Sequence, residues 1–265
     1  SGFLNRLAGV LGAGPLADVS PMAFTDQLPI SLRGDARAAN MALAGNARPT
    51  LDARQSQLIA SMYRDTPLAQ TVAEGFQVRD EVRRAMQAEM DAASRNAMTS
   101  KGFELVARRM AALMRERYDL GFVDVGGWDT HVGQGAATGY LANRFEELGR
   151  GLAAFAQEME PENWRQTVVV VISEFGRTFR ENGNKGTDHG HGTVYWVMGG
   201  NVRGGRIAGR QVEVKRETLF QDRDYPVLNE YRAVFAGLFS RLYGLDKARL
   251  AQVFPGVAPV DLKLV

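Results

Sequence analysis

The chain has 265 residues, 45% hydrophobic and 23% charged, with a formal net charge of +2, three histidines and no cysteine. Such a length buries a sizeable core, and residues 1–265 read as a single domain. Near-neutral charge gives no electrostatic case for nucleic acid or an anionic membrane, and the missing cysteine removes disulfides, thiolate metal sites and cysteine nucleophiles.

Residues 2–12 follow helical spacing, and GAGP (12–15) ends that helix. MAF (22–24) and LPISLRG (28–34) are expected as short strands. From Pro49 to about Ser94 the composition predicts two helices broken near Asp65-Thr66-Pro67. A further helix is expected over 103–118, with Leu105, Met110, Leu113 and Met114 on one side. LGFVDVGG (120–127) reads as a short strand ending in two glycines. The helix at 140–159 carries a stripe of Leu141, Phe145, Leu148, Leu152 and Phe155, and PENW makes the turn after it.

TVVVVIS (167–173) is apolar without alternation, as expected of a strand covered on both faces of a parallel sheet. The next nineteen residues, EFGRTFRENGNKGTDHGHG (174–192), show no periodicity, which marks a functional loop. TVYWVMGG (193–200) is another strand. The basic stretch 201–216 reads as a solvated strand-and-loop face, or more sharply as a positive rim that attracts an anionic substrate. Residues 225–244 form a capped apolar helix, and FPG (254–256) closes the last turn. No apolar run approaches the roughly 20 residues needed to span a bilayer.

The strand–helix–strand succession from 120 to 173 argues for an α/β fold with a largely parallel sheet and helices on both faces. Only three strands stand out, few for such a sheet, so further strands are expected upstream of residue 1.

All three histidines lie near aspartates in glycine-rich surroundings: His131 in GGWDTH, and His189 and His191 in GTDHGHG. Ligands of doubly wound sheets gather beyond the carboxyl ends of the strands. Asp129 and His131 follow the strand at 120–125, and Glu174 and Arg177 follow that at 167–173, so parallel neighbours would bring both pairs to one rim. Residues i and i+2 of an extended segment point to the same side, which fits Asp129 with His131 and His189 with His191. Gly190 and Gly192 leave room for the backbone to approach an ion, and Gly186 frees the turn before them.

Taken singly, each residue has a plainer role. His131 is a loop histidine, Asp188 caps backbone N–H groups, and Glu174 pairs with Arg177 or Arg180 at the surface. Taken together they point to a shared metal site, with Asp188 either a ligand or a group that orients one. Imidazole and carboxylate donors suit zinc, and also manganese or iron. Arg177 is either a surface ion-pair partner or a fork-shaped donor for a phosphate or sulfate oxygen. Trp128 and Phe175 flank the carboxylates as pocket walls or as core.

GGWDTHVGQ, VVVVISEFGRTFRENGNKGTDHGHG and VMGGNVRGGRIAG, in that order, resemble the bacterial domain of unknown function 1501 family, which is similar to the alkaline phosphatase and sulfatase superfamily. The resemblance implies an alkaline-phosphatase-like core that lacks its first strand or strands. It implies one or two divalent ions on Asp129, His131, Glu174 and His189 or His191. Glu174-Phe175 stands where the superfamily commonly has Asp-His, which puts a second ion in question. It further implies a carboxyl-terminal portion of an exported, periplasmic protein, with the nucleophile upstream. Thr130, Ser173 and Thr187 are the hydroxyls beside the expected ligands.

The expected activity is metal-dependent hydrolysis of phosphate or sulfate esters on an anionic small molecule or polymer. The alternative is an exported, non-catalytic metal-binding protein used in assembly or surface interaction. Homo-oligomerisation, or association with an amino-terminal segment, would cover an exposed sheet edge.

Overall fold

The computed structural model describes residues 1–14, 19–43, 53–96 and 102–265. Helix α1 (Phe3–Gly12) ends where GAG removes helix-favouring side chains; Pro15 of the expected stop lies outside the described residues. Strand β1 (Pro21–Ala23) follows, with proline tolerated because it opens the strand. LPISLRG, expected as a strand, instead contains a 3-10 turn at Ile30–Leu32, set after Pro29 and closed by an Arg33 N–H bond to the Ile30 carbonyl. Its backbone is held from α1, where buried Asn5 donates to the carbonyls of Leu32 and Ala36.

Strand β2 (Ala39–Asn40) precedes α2 (Ala53–Tyr63) and α3 (Ala69–Asn96). The expected break between these helices is present, with the Thr66 hydroxyl bonding the Tyr63 carbonyl and accepting from Leu68 N. Then come α4 (Gly102–Glu116), β3 (Leu120–Phe122) and α5 (Tyr140–Glu158). PENW, expected as a turn, lies in a short helix α6 (Glu160–Arg165), with its proline in the first turn, where a missing N–H costs nothing. Strands β4 (Val168–Val171), β5 (Gly176–Arg177), β6 (His189–Gly190) and β7 (Trp196–Gly199) follow. Helices α7 (Tyr231–Tyr243) and α8 (Lys247–Val253) close the chain, capped at their starts by the Glu230 and Asp246 side chains.

The parallel sheet is smaller than expected. It has three strands in the order β2-β1-β3, with Met22 opposite both Ala39 and Gly121. The valine run does not extend it: β4 pairs antiparallel with β7, Val168 opposite Gly199 and Val171 opposite Trp196. A continuous apolar run reports cover on two faces, not the direction of the partner strand, and β4 is half-buried from both. Val168 and Val170 pack with Leu120, α1, α7 and α8, whereas Val169 packs with α4 and α5. Helices therefore cover both faces in an α/β arrangement.

On the α1–α7–α8 side, Phe3, Phe235, Phe239 and Phe254 stack with centroids 5.5–6.0 Å apart. On the other side, Met110 and Met114 of α4 lie so close over β3 that a Cβ on Gly121 would come within 2.9 and 2.8 Å of them. That glycine sets how closely helix and strand approach.

Candidate metal centre

Beyond β3 the chain runs without regular structure to α5, and Asp129 and His131 lie on this connection. Gly127 takes a positive φ of 94°, and a Cβ there would come within 2.9 Å of the Tyr140 hydroxyl. Trp128 is fixed at both ends: its ring N–H donates to Val125 O at 2.6 Å, and its ring meets Phe145 edge-on at 5.1 Å.

The 174–192 segment, without periodicity in sequence, contains the β5–β6 hairpin, Gly176 opposite Gly190 and Arg177 opposite His189. Two paired residues per strand are too few to leave an alternation. Asn182 organises the tip: its Oδ1 accepts from Asn184 N and Gly186 N, and its Nδ2 donates to His131 O at 3.1 Å and Asp188 Oδ1 at 3.0 Å. The hairpin is tied to the Asp129 loop by Thr187 N to Thr130 O, Gly133 N to Asn184 O and Gln134 N to Lys185 O. Gln134 Oε1 accepts from the hydroxyls of both Thr130 and Thr187 at 2.7 Å.

The glycines of GTDHGHG serve this packing. None has positive φ. A Cβ on Gly186 would overlap the His131 carbonyl, one on Gly190 would come within 2.8 Å of Asp224 Cβ, and one on Gly192 within 2.6 Å of Pro226 O. The expected turn freedom at Gly186 gives way to close contact between neighbouring segments, and Gly190 and Gly192 lie in such contact as well.

Three groups meet on one oxygen. Asp129 Oδ1 lies 2.6 Å from His189 Nε2, 2.7 Å from Arg177 Nη1 and 2.9 Å from His131 Nε2. One potential ligand atom each from Asp129, His131 and His189 lies within 4.8 Å of the others, so these three could hold a metal ion. The hydrogen bond to His189, then Arg177 and the charge of the two imidazoles, holds the Asp129 carboxyl below its ordinary value. His189 stacks on Phe175 at 4.6 Å and 10°.

The donor set fits a cation. His131 Nδ1 faces Asp188 Oδ1 at 3.2 Å while Nε2 faces Asp129. A neutral imidazole has one N–H, so if Nδ1 donates to Asp188, the Nε2 lone pair faces a carboxylate. That contact is repulsive unless a positive charge lies between them, supplied by a proton or by a metal ion. Carboxylate–histidine–metal chains have this order of groups. The Asp188 carboxyl is itself held below its ordinary value, first by the Asn182 hydrogen bond and then by His131.

The remaining sequence-predicted residues lie around this group. Asp188 touches the outer nitrogen of His131. Glu174 is exposed and outside the three-residue group. His191 turns to a different acid: its N–H and Nδ1 lie 2.6 and 2.8 Å from Oδ2 of Asp224, a fully buried carboxylate. Arg177 donates Nε to the Thr187 hydroxyl, Nη2 to the Thr187 carbonyl and Nη1 to Asp129, using three of its five N–H groups. Sequence reasoning missed Gln134, Asn182 and Asp224. Asn182, in the ENGN turn, carried an Asx-turn signal; nothing in the local sequence marked the other two.

The family described as Protein of unknown function (DUF1501) matches residues 1–254. The chain belongs to this family. No curated protein and no solved structure matches it. The three quoted stretches, the Asp129 loop, the β5–β6 hairpin and the β7 segment after it, thus lie inside the DUF1501 region. No helix among the described residues is long and apolar enough to cross a membrane.

Proposed function

We propose that this DUF1501 chain is a metal-dependent hydrolase of phosphate or sulfate esters, with an alkaline-phosphatase-like site. The convergence of Asp129, His131 and His189 on a half-exposed point beside Arg177 carries the reading. A divalent ion at such a site supplies Lewis acidity toward an ester oxygen or a water. Zinc suits the two imidazoles and one carboxylate, as do manganese and iron. Asp188 and Asn182 fix the ring of His131, and Phe175 braces that of His189. Arg177 orients Asp129 and keeps one N–H on each terminal nitrogen for a substrate oxyanion. Substrate would be an anionic small-molecule or polymer ester, met outside the cytoplasm.

One observation favours the second reading, a non-catalytic metal-binding protein. The nearby hydroxyls are all engaged: Thr130 and Thr187 on Gln134, and Ser173 on Phe175 O. In the hydrolase reading, a water supplies the attacking oxygen.

The test is elemental analysis of protein purified without chelator or nickel, beside His189→Ala, followed by assays on aryl phosphate and aryl sulfate. Stoichiometric metal with ester turnover, both lost in the variant, supports the hydrolase. Metal without turnover supports the binder. No metal after soaking overturns both.

A further inference from the structure

We propose that Asp224 positions the ligand strand of this centre, clamping the backbone of His191 and holding its ring as the Nδ1–H tautomer so that His189 is presented to Asp129. This rests on the metal reading above.

Asp224 is fully buried, and both of its carboxylate oxygens are used. Oδ2 accepts from the His191 N–H at 2.6 Å and faces His191 Nδ1 at 2.8 Å, while Oδ1 accepts from Arg223 Nε at 3.0 Å. A carboxylate accepts only, so the contact to Nδ1 requires its proton there and, in the neutral ring, leaves the Nε2 lone pair directed away from Asp224. One oxygen thereby sets both the main chain and the ring of a single residue.

The clamp extends to both strands of the hairpin. Thr178, which follows β5, bridges to Asp224, and Phe179 N donates to Arg223 O. On the β6 side, Gly192 N donates to Tyr225 O at 2.7 Å, and Gly190 packs against the Asp224 Cβ. Residues 223–225 thus fasten the hairpin on both of its strands. The His189 backbone is held by the ladder opposite Arg177, and its ring by Phe175, His131 and Asp129. Its placement depends on the strand that Asp224 fixes. A buried acid is costly unless fully hydrogen-bonded, and here the compensation comes from Arg223 and from the residue two positions from His189.

The experiment has two arms. Long-range proton–nitrogen correlation spectra of the apo protein read the tautomer of each imidazole, and competition with a zinc-chelating dye reads zinc affinity. Wild type should show His191 as Nδ1–H. Asp224→Ala should mix the tautomers and weaken zinc binding about 10–100-fold, the usual size of an outer-shell loss. Asp224→Asn, which keeps an acceptor in place of Oδ2 and the side-chain volume but gives up the Arg223 bond at Oδ1, should retain the tautomer and lose less than about tenfold. A purely structural role would lower stability in both variants without changing the ring.

The proposal is overturned if wild-type His191 carries its proton on Nε2. It is also overturned if Asp224→Ala leaves tautomer and zinc affinity unchanged. Should Asp224→Ala not fold, the wild-type tautomer and the Asn variant still decide. Absence of zinc binding in wild type, with the Nδ1–H tautomer present, would sink the metal reading and with it the link to His189.

Discussion

His189 Nε2 lies 2.6 Å from Asp129 Oδ1 across sixty residues of sequence. This contact joins the loop after β3 to the β5–β6 hairpin. If it is half of a metal site, Asp129→Asn, His131→Ala and His189→Ala should each remove metal that wild type retains through dialysis. Elemental analysis reads this directly. Retention by all three variants would show that the ion, if any, is held elsewhere.

Asp188 and Asn182 touch His131 from outside the three-residue group. Asp188→Asn should therefore weaken the site without abolishing it, by about 10–100-fold in metal affinity. A loss as complete as that of His189→Ala would make Asp188 a direct ligand. An unchanged affinity would reduce it to a capping residue of the turn.

Much of this arrangement was legible in the sequence. The helices at 3–12, 102–116 and 140–158 declared themselves through apolar spacing, and the three histidines through their aspartate neighbours. The pairing of β4 was not legible, because a valine run satisfies a parallel or an antiparallel neighbour equally well. The β5–β6 hairpin escaped because its ladder is two residues long. Asp224 escaped because its role depends on a contact thirty-three residues back, where His191 supplies both N–H partners of Oδ2. The close-packing role of Gly186, Gly190 and Gly192 likewise depends on segments distant in sequence.

That packing makes its own prediction. A methyl group on Gly186 would overlap the His131 carbonyl, which is backbone and cannot swing aside as a long side chain can. Gly186→Ala should cost about 1–3 kcal/mol, the usual range for overpacking. It should also weaken metal binding at the proposed site, since the displaced carbonyl belongs to His131. Urea denaturation beside a metal titration checks both. An unaffected variant would mean that the two loops separate at no cost.

The core on the opposite side offers a control independent of the site. Phe254 is 2% exposed and stacks with Phe3 and Phe239. Phe254→Ala should lower stability by about 3–5 kcal/mol through lost burial and the cavity left behind. Metal content of the folded fraction should be unchanged. A loss below about 1 kcal/mol would place the aromatic stack outside the cooperative core.

A last prediction concerns acid. Arg241 on α7 grips Asp261 with two bonds, Nε to Oδ1 at 2.7 Å and Nη2 to Oδ2 at 2.6 Å. These bonds, with help from the Lys263 N–H, hold the Asp261 carboxyl down to about 2. An unfolded aspartate titrates near 3.9, so between the two values the unfolded chain binds more protons than the folded one. The stabilising contribution is therefore complete above about pH 4 and fades as the pH falls toward 2. Asp261→Asn should lower the urea midpoint at pH 6, and the gap from wild type should close between pH 4 and 2. Because the pair is exposed, the gap at pH 6 should also shrink in 1 M salt. A gap that persists unchanged to pH 2 would assign the contribution of Asp261 to its neutral hydrogen bonds, not to the charge that Arg241 holds in place.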